Sequence, residues 1–175
     1  MSRLEAFELA RRYDATLCVA LNRALRFRAV LPFFRLVSWL GNGIFWYSLM
    51  LALLVRFGAD AAGPVLHMAA VGAACTLLYG FLKRRTLRPR PFQVVPQVKA
   101  GMPPLDAFSF PSGHTLHAVS FTLVACAYYP ALAPILVAFT LLTAASRVVL
   151  GLHYPSDVLA GAAIGCLLAL PTIWI

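Results

Sequence analysis

Charge is what this chain has least of. Only 12% of its 175 residues are Asp, Glu, Lys or Arg, about half the share found in a soluble domain, while 61% are hydrophobic. That balance excludes an ordinary water-soluble globule. Acidic residues are scarcer still, six against 15 Lys and Arg, so no cluster of carboxylates is on hand to hold a metal ion. The four cysteines, Cys18, Cys75, Cys126 and Cys166, fall singly within apolar segments. Their lack of paired spacing excludes a disulfide framework or a zinc module and leaves them as small packing residues. Internal repeats and low-complexity tracts are also missing, so residues 1–175 read as a single domain.

What is present is a series of long apolar runs. Leu36 to Val55 and Ala61 to Leu82 carry no charge, and each is long enough to cross a hydrocarbon core of about 30 Å as a helix. Thr115 to Ala145 is uncharged for 31 residues, too long for one ordinary crossing. Tyr129-Pro130-Ala131 near its middle predicts a turn and hence a helical hairpin. Val158 to Ile175 makes the last run, with a Gly161-Ala-Ala-Ile-Gly165 surface that lets another helix approach closely. The expected fold is therefore all-α, a polytopic membrane bundle of five crossings. Residues 1–35 differ, because Phe7, Leu9, Leu17, Val19, Leu21 and Leu25 alternate with Arg3, Arg11, Arg12, Arg23, Arg26 and Arg28. This pattern predicts an interfacial amphipathic helix, with a sixth crossing as the alternative.

Against this apolar background three polar clusters stand out: Lys83 to Arg90-Pro91, Pro111-Ser112-Gly113-His114, and Ser146-Arg147 followed by His153 and Asp157. Breaking a phosphoester bond requires fixed cations, a nucleophile, an acid for the leaving group and a residue to orient the nucleophile. Lys83, Arg90 and Arg147 are cations suited to the charge on phosphoryl oxygens. His153 and His114 supply a nucleophile and an acid. Asp157 follows His153 by four residues, a spacing that one helical turn closes, and its carboxylate is suited to fixing the imidazole tautomer. Ser112, Gly113 and His114 open the third crossing, where free backbone N–H groups favour an anion. Arg147 would cost about 2.5–3.5 kcal/mol facing lipid at mid-membrane, so it is expected to point into a polar site. With five crossings, simple alternation brings all three clusters to one membrane face.

In order and spacing these residues resemble the type 2 phosphatidic acid phosphatase superfamily. Its pattern is Lys, six residues, Arg-Pro; then Pro-Ser-Gly-His; then Ser-Arg, five residues, His, three residues, Asp. The resemblance covers residues 83–157 and implies an integral membrane lipid phosphatase, a multi-pass protein of the bacterial inner membrane. It implies that His153 attacks phosphorus to give a phosphohistidine while His114 protonates the leaving oxygen. Lys83, Arg90, Ser112, Gly113 and Arg147 would hold the phosphoryl oxygens and Asp157 would orient His153. No metal or other cofactor is expected, nor a nucleic acid or obligate protein partner; the expected partners are membrane lipids and a lipid phosphate substrate. The alternatives are a lipid phosphotransferase and a non-enzymatic transporter of anionic lipids.

Other polar residues take blander expectations. Arg84, Arg85 and Arg88 read as membrane-flanking charges, His67 and His117 as hydrogen-bonded packing residues, Asn42 as a helix-packing residue and Asp106 as part of a loop turn. The loop from Lys83 to Pro111, with the start of the third crossing at Gly113, is the expected catalytic segment. Of the 15 basic residues only Arg56 falls opposite the clusters in the five-crossing arrangement, so the positive-inside rule favours the cytoplasmic face, whereas the resemblance to bacterial members of the family implies the outer face as the alternative. A cysteine-free chain carrying Gln97→Cys should then resist an impermeant thiol reagent in intact cells and react after lysis. Labelling before lysis would reverse the orientation.

Overall fold

Helices make up most of the computed structural model, which describes residues 3–174 and has no strand among them. Met1, Ser2 and Ile175 lie outside the described residues, as do the side chains of Arg3 and Phe7 from the amphipathic pattern. Helix α1 (Arg3–Asn22) leads through a short turn to α2 (Val30–Trp39) and α3 (Phe45–Phe57), then α4 (Ala62–Thr86). A single-turn helix α5 (Pro91–Val94) interrupts the long loop before α6 (Gly113–Tyr128), α7 (Ala133–Val149) and α8 (Pro155–Ile173).

Proline and glycine set most of these boundaries. Pro91 and Pro155 occupy the first positions of α5 and α8, and Pro134 lies in the first turn of α7, where a missing N–H costs no helical hydrogen bond. The hairpin expected at Tyr129-Pro130 is present as the turn between α6 and α7. The run from Leu36 to Val55 does not form one straight helix. A π-type turn at Leu40–Ile44 breaks it, with Gly43 at φ +106°, a conformation that disfavours any residue with a Cβ. The break matters because its backbone borders the cavity described below.

Among the described residues three stretches are long and apolar enough to cross a membrane: Val30–Val94, Pro130–Val149 and Pro155–Ile173. The first is folded back on itself at the turn Gly58–Ala61, so α2–α3 and α4 are separate legs. Their outer faces carry Leu51, Val55, Leu66 and Leu77, and α7 and α8 add Leu141, Leu159 and Leu167, all exposed. A continuous apolar exterior of this kind suits lipid rather than water.

The 16-residue α6 is the hub, packing on α4, α7 and α8. Leu116, Phe121 and Val124 from α6 meet Trp46 and Met50 of α3, Met68, Val71 and Cys75 of α4, and Leu136 of α7 in the main core. Gly161 of α8 makes the closest approach to α6: a Cβ there would sit 2.6 Å from the Ser112 carbonyl oxygen. The small-residue surface read from the sequence therefore lets α8 support the N-terminus of α6.

Helix α1 is amphipathic in an unexpected sense. Asp14, Cys18 and Asn22, four apart, are its buried face, while Leu9, Tyr13, Leu17 and Leu21 point outward. The inward polar atoms are satisfied: the Asn22 amide donates to the carbonyls of Lys99 and Val149 at 2.9 and 2.8 Å and accepts from the Lys99 N–H at 2.8 Å. In this way α1 fastens the loop between α5 and α6 to the end of α7.

Candidate active site

Helix ends and one loop bring the polar residues together. Lys83 stands in the last turn of α4, which runs past the expected start of the loop, and Arg147 in the last turn of α7. Arg90 immediately precedes α5, His114 lies in the first turn of α6, and His153 lies in the short connection before α8. All five, with Gly113, line one cavity of about 250 Å³. Lys83, Arg90, Arg147 and His153 are buried, so the cations act through a medium of low effective dielectric, where each is worth more to an anion than in water.

The cavity has two characters. Its polar end holds these residues and Asp106; its other walls are Trp46, Tyr47, Tyr79, Leu105 and Phe121, with Gly41-Asn42-Gly43 from the broken helix. Asn42 therefore borders the cavity rather than serving only to pack helices. His117 also lines it, with Nδ1 2.8 Å from the Gly113 carbonyl and Nε2 3.0 Å from the Thr76 hydroxyl. His67 lies away from the site, held by Tyr128 and Thr172.

Arg90 fixes the His153 face of the cavity. Its Nη1 donates to the Leu152 carbonyl at 2.7 Å and stands 3.3 Å from His153 Nε2. A guanidinium has only donors, so this approach favours an unprotonated Nε2, with the ring proton on Nδ1. Burial, followed by the charges of Arg147, Arg90 and Lys83, pushes the His153 imidazole well below the ordinary histidine range. It is neutral at physiological pH, with its free lone pair toward the cations.

Asp157 is buried beneath His153. Its Oδ2 is 3.7 Å from His153 Nδ1, longer than a hydrogen bond, and Nδ1 makes no other. The same Oδ2 accepts the Tyr154 N–H at 2.8 Å, capping α8. Capping and proximity to the histidine thus occur in one side chain. Ser112 is placed differently from the other sequence candidates. It is fully buried, its hydroxyl pairs with Thr115 at 2.9 Å and its N–H donates to the Asp157 carbonyl at 3.1 Å. Its neighbours Gly113 and His114 line the cavity instead, at the helix N-terminus where N–H groups have no intrahelical acceptor.

Two expectations need correction. Arg88 is not a lipid-facing flank: its Nη1 donates to Asp157 Oδ1 at 2.6 Å and Ser156 Oγ at 2.8 Å, and its Nη2 to Asp14 Oδ2 at 2.7 Å. Arg84 and Arg85 remain exposed at the end of α4. Asp106 does more than shape a turn, because its Oδ2 lies 2.5 Å from Lys83 Nζ and its Oδ1 2.9 Å from Arg90 Nη2. Burial raises the Asp106 carboxyl, but the hydrogen bond and charge of Lys83, with Arg90, outweigh it and hold the group below the usual carboxylate range.

The arrangement resembles known proteins at the level of sequence and of fold. A model of the PAP2 superfamily matches residues 64–175. A transmembrane PAP2-type phosphatidylglycerolphosphate phosphatase from Bacillus subtilis superposes with a TM-score of 0.77 at 25% identity, covering 93% of this chain and 84% of its own. LpxE of Aquifex aeolicus gives a TM-score of 0.79 at 27% identity, covering 91% and 94% respectively. No curated protein sequence matches the chain.

Proposed function

The chain belongs to the PAP2 superfamily and is a multi-pass helical membrane protein, and from that premise we propose that it is a lipid phosphatase acting through a phosphohistidine. One observation carries this reading: three buried cations and the histidines His114 and His153 face a single cavity whose other walls are largely apolar and aromatic. Such a cavity suits a ligand with an anionic head and a hydrocarbon tail, as phosphatidate, phosphatidylglycerol phosphate and a polyprenyl diphosphate all have. The solved relative from Bacillus subtilis, a phosphatidylglycerolphosphate phosphatase, favours the same class.

In the proposed cycle Lys83, Arg90 and Arg147 hold the equatorial phosphoryl oxygens, helped by the N–H groups at Gly113 and His114. His153 Nε2 attacks phosphorus in line; the bond from phosphorus to the lipid oxygen breaks, and His114 gives that oxygen a proton. Negative charge arriving with the substrate favours the protonated form of His114. Water then attacks the phosphohistidine, its proton passing to His114, and the phosphorus–nitrogen electron pair returns to Nε2. Asp157 stabilises the imidazole in both steps. Ser112 serves this scheme through position, holding the start of α6 against α8. The fixed cations take the part that magnesium plays in kinases.

The test is phosphate release by purified protein in detergent from those three lipid classes, with EDTA present. Release that EDTA does not diminish is expected. Loss of activity on chelation would overturn the metal-independent scheme, transfer of label into a second lipid would identify a phosphotransferase, and no turnover of any lipid by folded protein would overturn the enzyme reading.

A further inference from the structure

The cationic end of the cavity is already occupied by an anion from the chain itself. Asp106 places one carboxylate oxygen on Lys83 at 2.5 Å and the other on Arg90 at 2.9 Å, the way two equatorial oxygens of a phosphoryl group would divide between those cations. Its side chain is 37% exposed, against 9% for Lys83 and 1% for Arg90, so it covers them from the open side. The backbone that carries it, between α5 and α6, has no regular helical ladder, but its carbonyl at Asp106 accepts from Arg90 Nε at 3.1 Å and that of Phe108 from Lys83 Nζ at 3.3 Å, so the change required is a turn of the Asp106 side chain. Arg147 has no carboxylate: it donates to the Ser38 hydroxyl, and its buried Nε has no partner. One of the three cations is thus open to an incoming anion and two are covered.

We propose that the Asp106 carboxylate is an internal ligand of the phosphate subsite, displaced by the substrate's phosphoryl group and returning as inorganic phosphate leaves. This rests on the phosphatase reading above and adds to it a positioning residue that sets how tightly the site holds phosphate. A doubly charged phosphoryl group with three oxygens engages Arg147, Lys83 and Arg90 together, which a singly charged carboxylate with two does not. The carboxylate nevertheless competes, and the apparent affinity of any ligand falls by the fraction of sites that are occupied internally. Product phosphate is weakened by the same factor and lacks the tail contacts that offset it for the substrate.

The sign of one inhibition constant separates this role from a merely structural one. Inorganic phosphate and vanadate are titrated as inhibitors of the native chain, Asp106→Asn and Asp106→Ala. Loss of a competitor tightens both inhibitors, by about tenfold or more, and lowers KM. Loss of a strut that holds Lys83 and Arg90 in place weakens both inhibitors and raises KM. Unchanged or weaker inhibition in variants that still turn over therefore overturns the inference and leaves the phosphatase reading standing. A native chain that neither releases phosphate nor binds vanadate overturns that reading, and this inference with it. Hydrogen exchange on the native chain gives a second measurement that needs no variant. The Phe108 N–H donates to Asp106 Oδ1 at 3.3 Å, so residues 105–110 are expected to exchange faster when vanadate binds; slower or unchanged exchange counts against displacement.

Discussion

Replacing His153 with alanine is expected to lower phosphate release by about 10⁴-fold or more, the scale seen when the nucleophile of a covalent mechanism is removed, with the helical fold retained. The fold should survive because the side chain contributes little else: Nδ1, beside the Ser109 backbone, makes no well-formed hydrogen bond, and Nε2 meets Arg90 at 3.3 Å. The backbone contacts of residue 153, an N–H to the Arg147 carbonyl and a carbonyl that accepts from Cys18 Sγ, do not depend on the imidazole. Native protein quenched in alkali during turnover of radiolabelled lipid phosphate should carry label that acid then releases, as a phosphoramidate does, and His153→Ala should carry none. Binding should be less affected than turnover, since Lys83, Arg90 and Arg147 remain. A variant that kept more than a few per cent of native activity would remove His153 from the chemistry and move the nucleophile to water or to another side chain.

The residues of this prediction were legible before any fold was known because polar side chains are costly in an apolar chain. Arg147 and His153 interrupt long hydrophobic sequence, so each calls for a reason, and alternation of crossings brought them to the face of Lys83 and His114. Burial of three of these four and their common cavity agree with that reasoning. Asp106 and Arg88 were missed for a physical reason. A loop aspartate and an arginine beside a membrane helix are ordinary at those places, and their partners lie far away in sequence: Lys83 for the first, Asp14 and Asp157 for the second. One signal was available. With six acidic residues in the whole chain, an aspartate near three required cations deserved more weight than a turn residue. Likewise Gly41-Asn42-Gly43 inside an apolar run marked a break in the helix rather than a packing surface. Outward-facing Leu9, Leu17 and Leu21 were read as part of an interfacial amphipathic helix, and composition gave no hint that the opposite face would be fixed by Asp14 and Asn22.

Arg88→Met is expected to be the most destabilising single change in the polar network, at about 3–5 kcal/mol, the cost of leaving buried ionic partners uncompensated. For a chain of this length that lowers the melting temperature by about 6 °C or more. The guanidinium joins three parts of the protein: Asp14 on α1, Ser156 and Asp157 at the start of α8, and the ring of Tyr154, over which it stacks at 4.1 Å. Asp14 and Asp157 are 7% and 0% exposed, so neither carboxylate gains solvation when the arginine is lost. Asp14 also accepts from the Ser156 N–H at 3.0 Å and from its hydroxyl, a contact that persists and draws the first turn of α8 toward α1. Asp157 then keeps only the Tyr154 N–H and the Ser109 hydroxyl, its Oδ1 loses the Arg88 anchor, and kcat should fall with little change in KM. Arg88→Lys should recover only part of both losses, because one ammonium lacks the planar fork that serves two carboxylates at once. Adding Asp14→Asn to Arg88→Met should recover part of the lost stability, since the double variant no longer buries that charge while Asp157 stays uncompensated, without restoring kcat. A melting temperature for Arg88→Met within about a degree of native would show that the network contributes nothing and that the flanking-charge reading of Arg88 was sufficient.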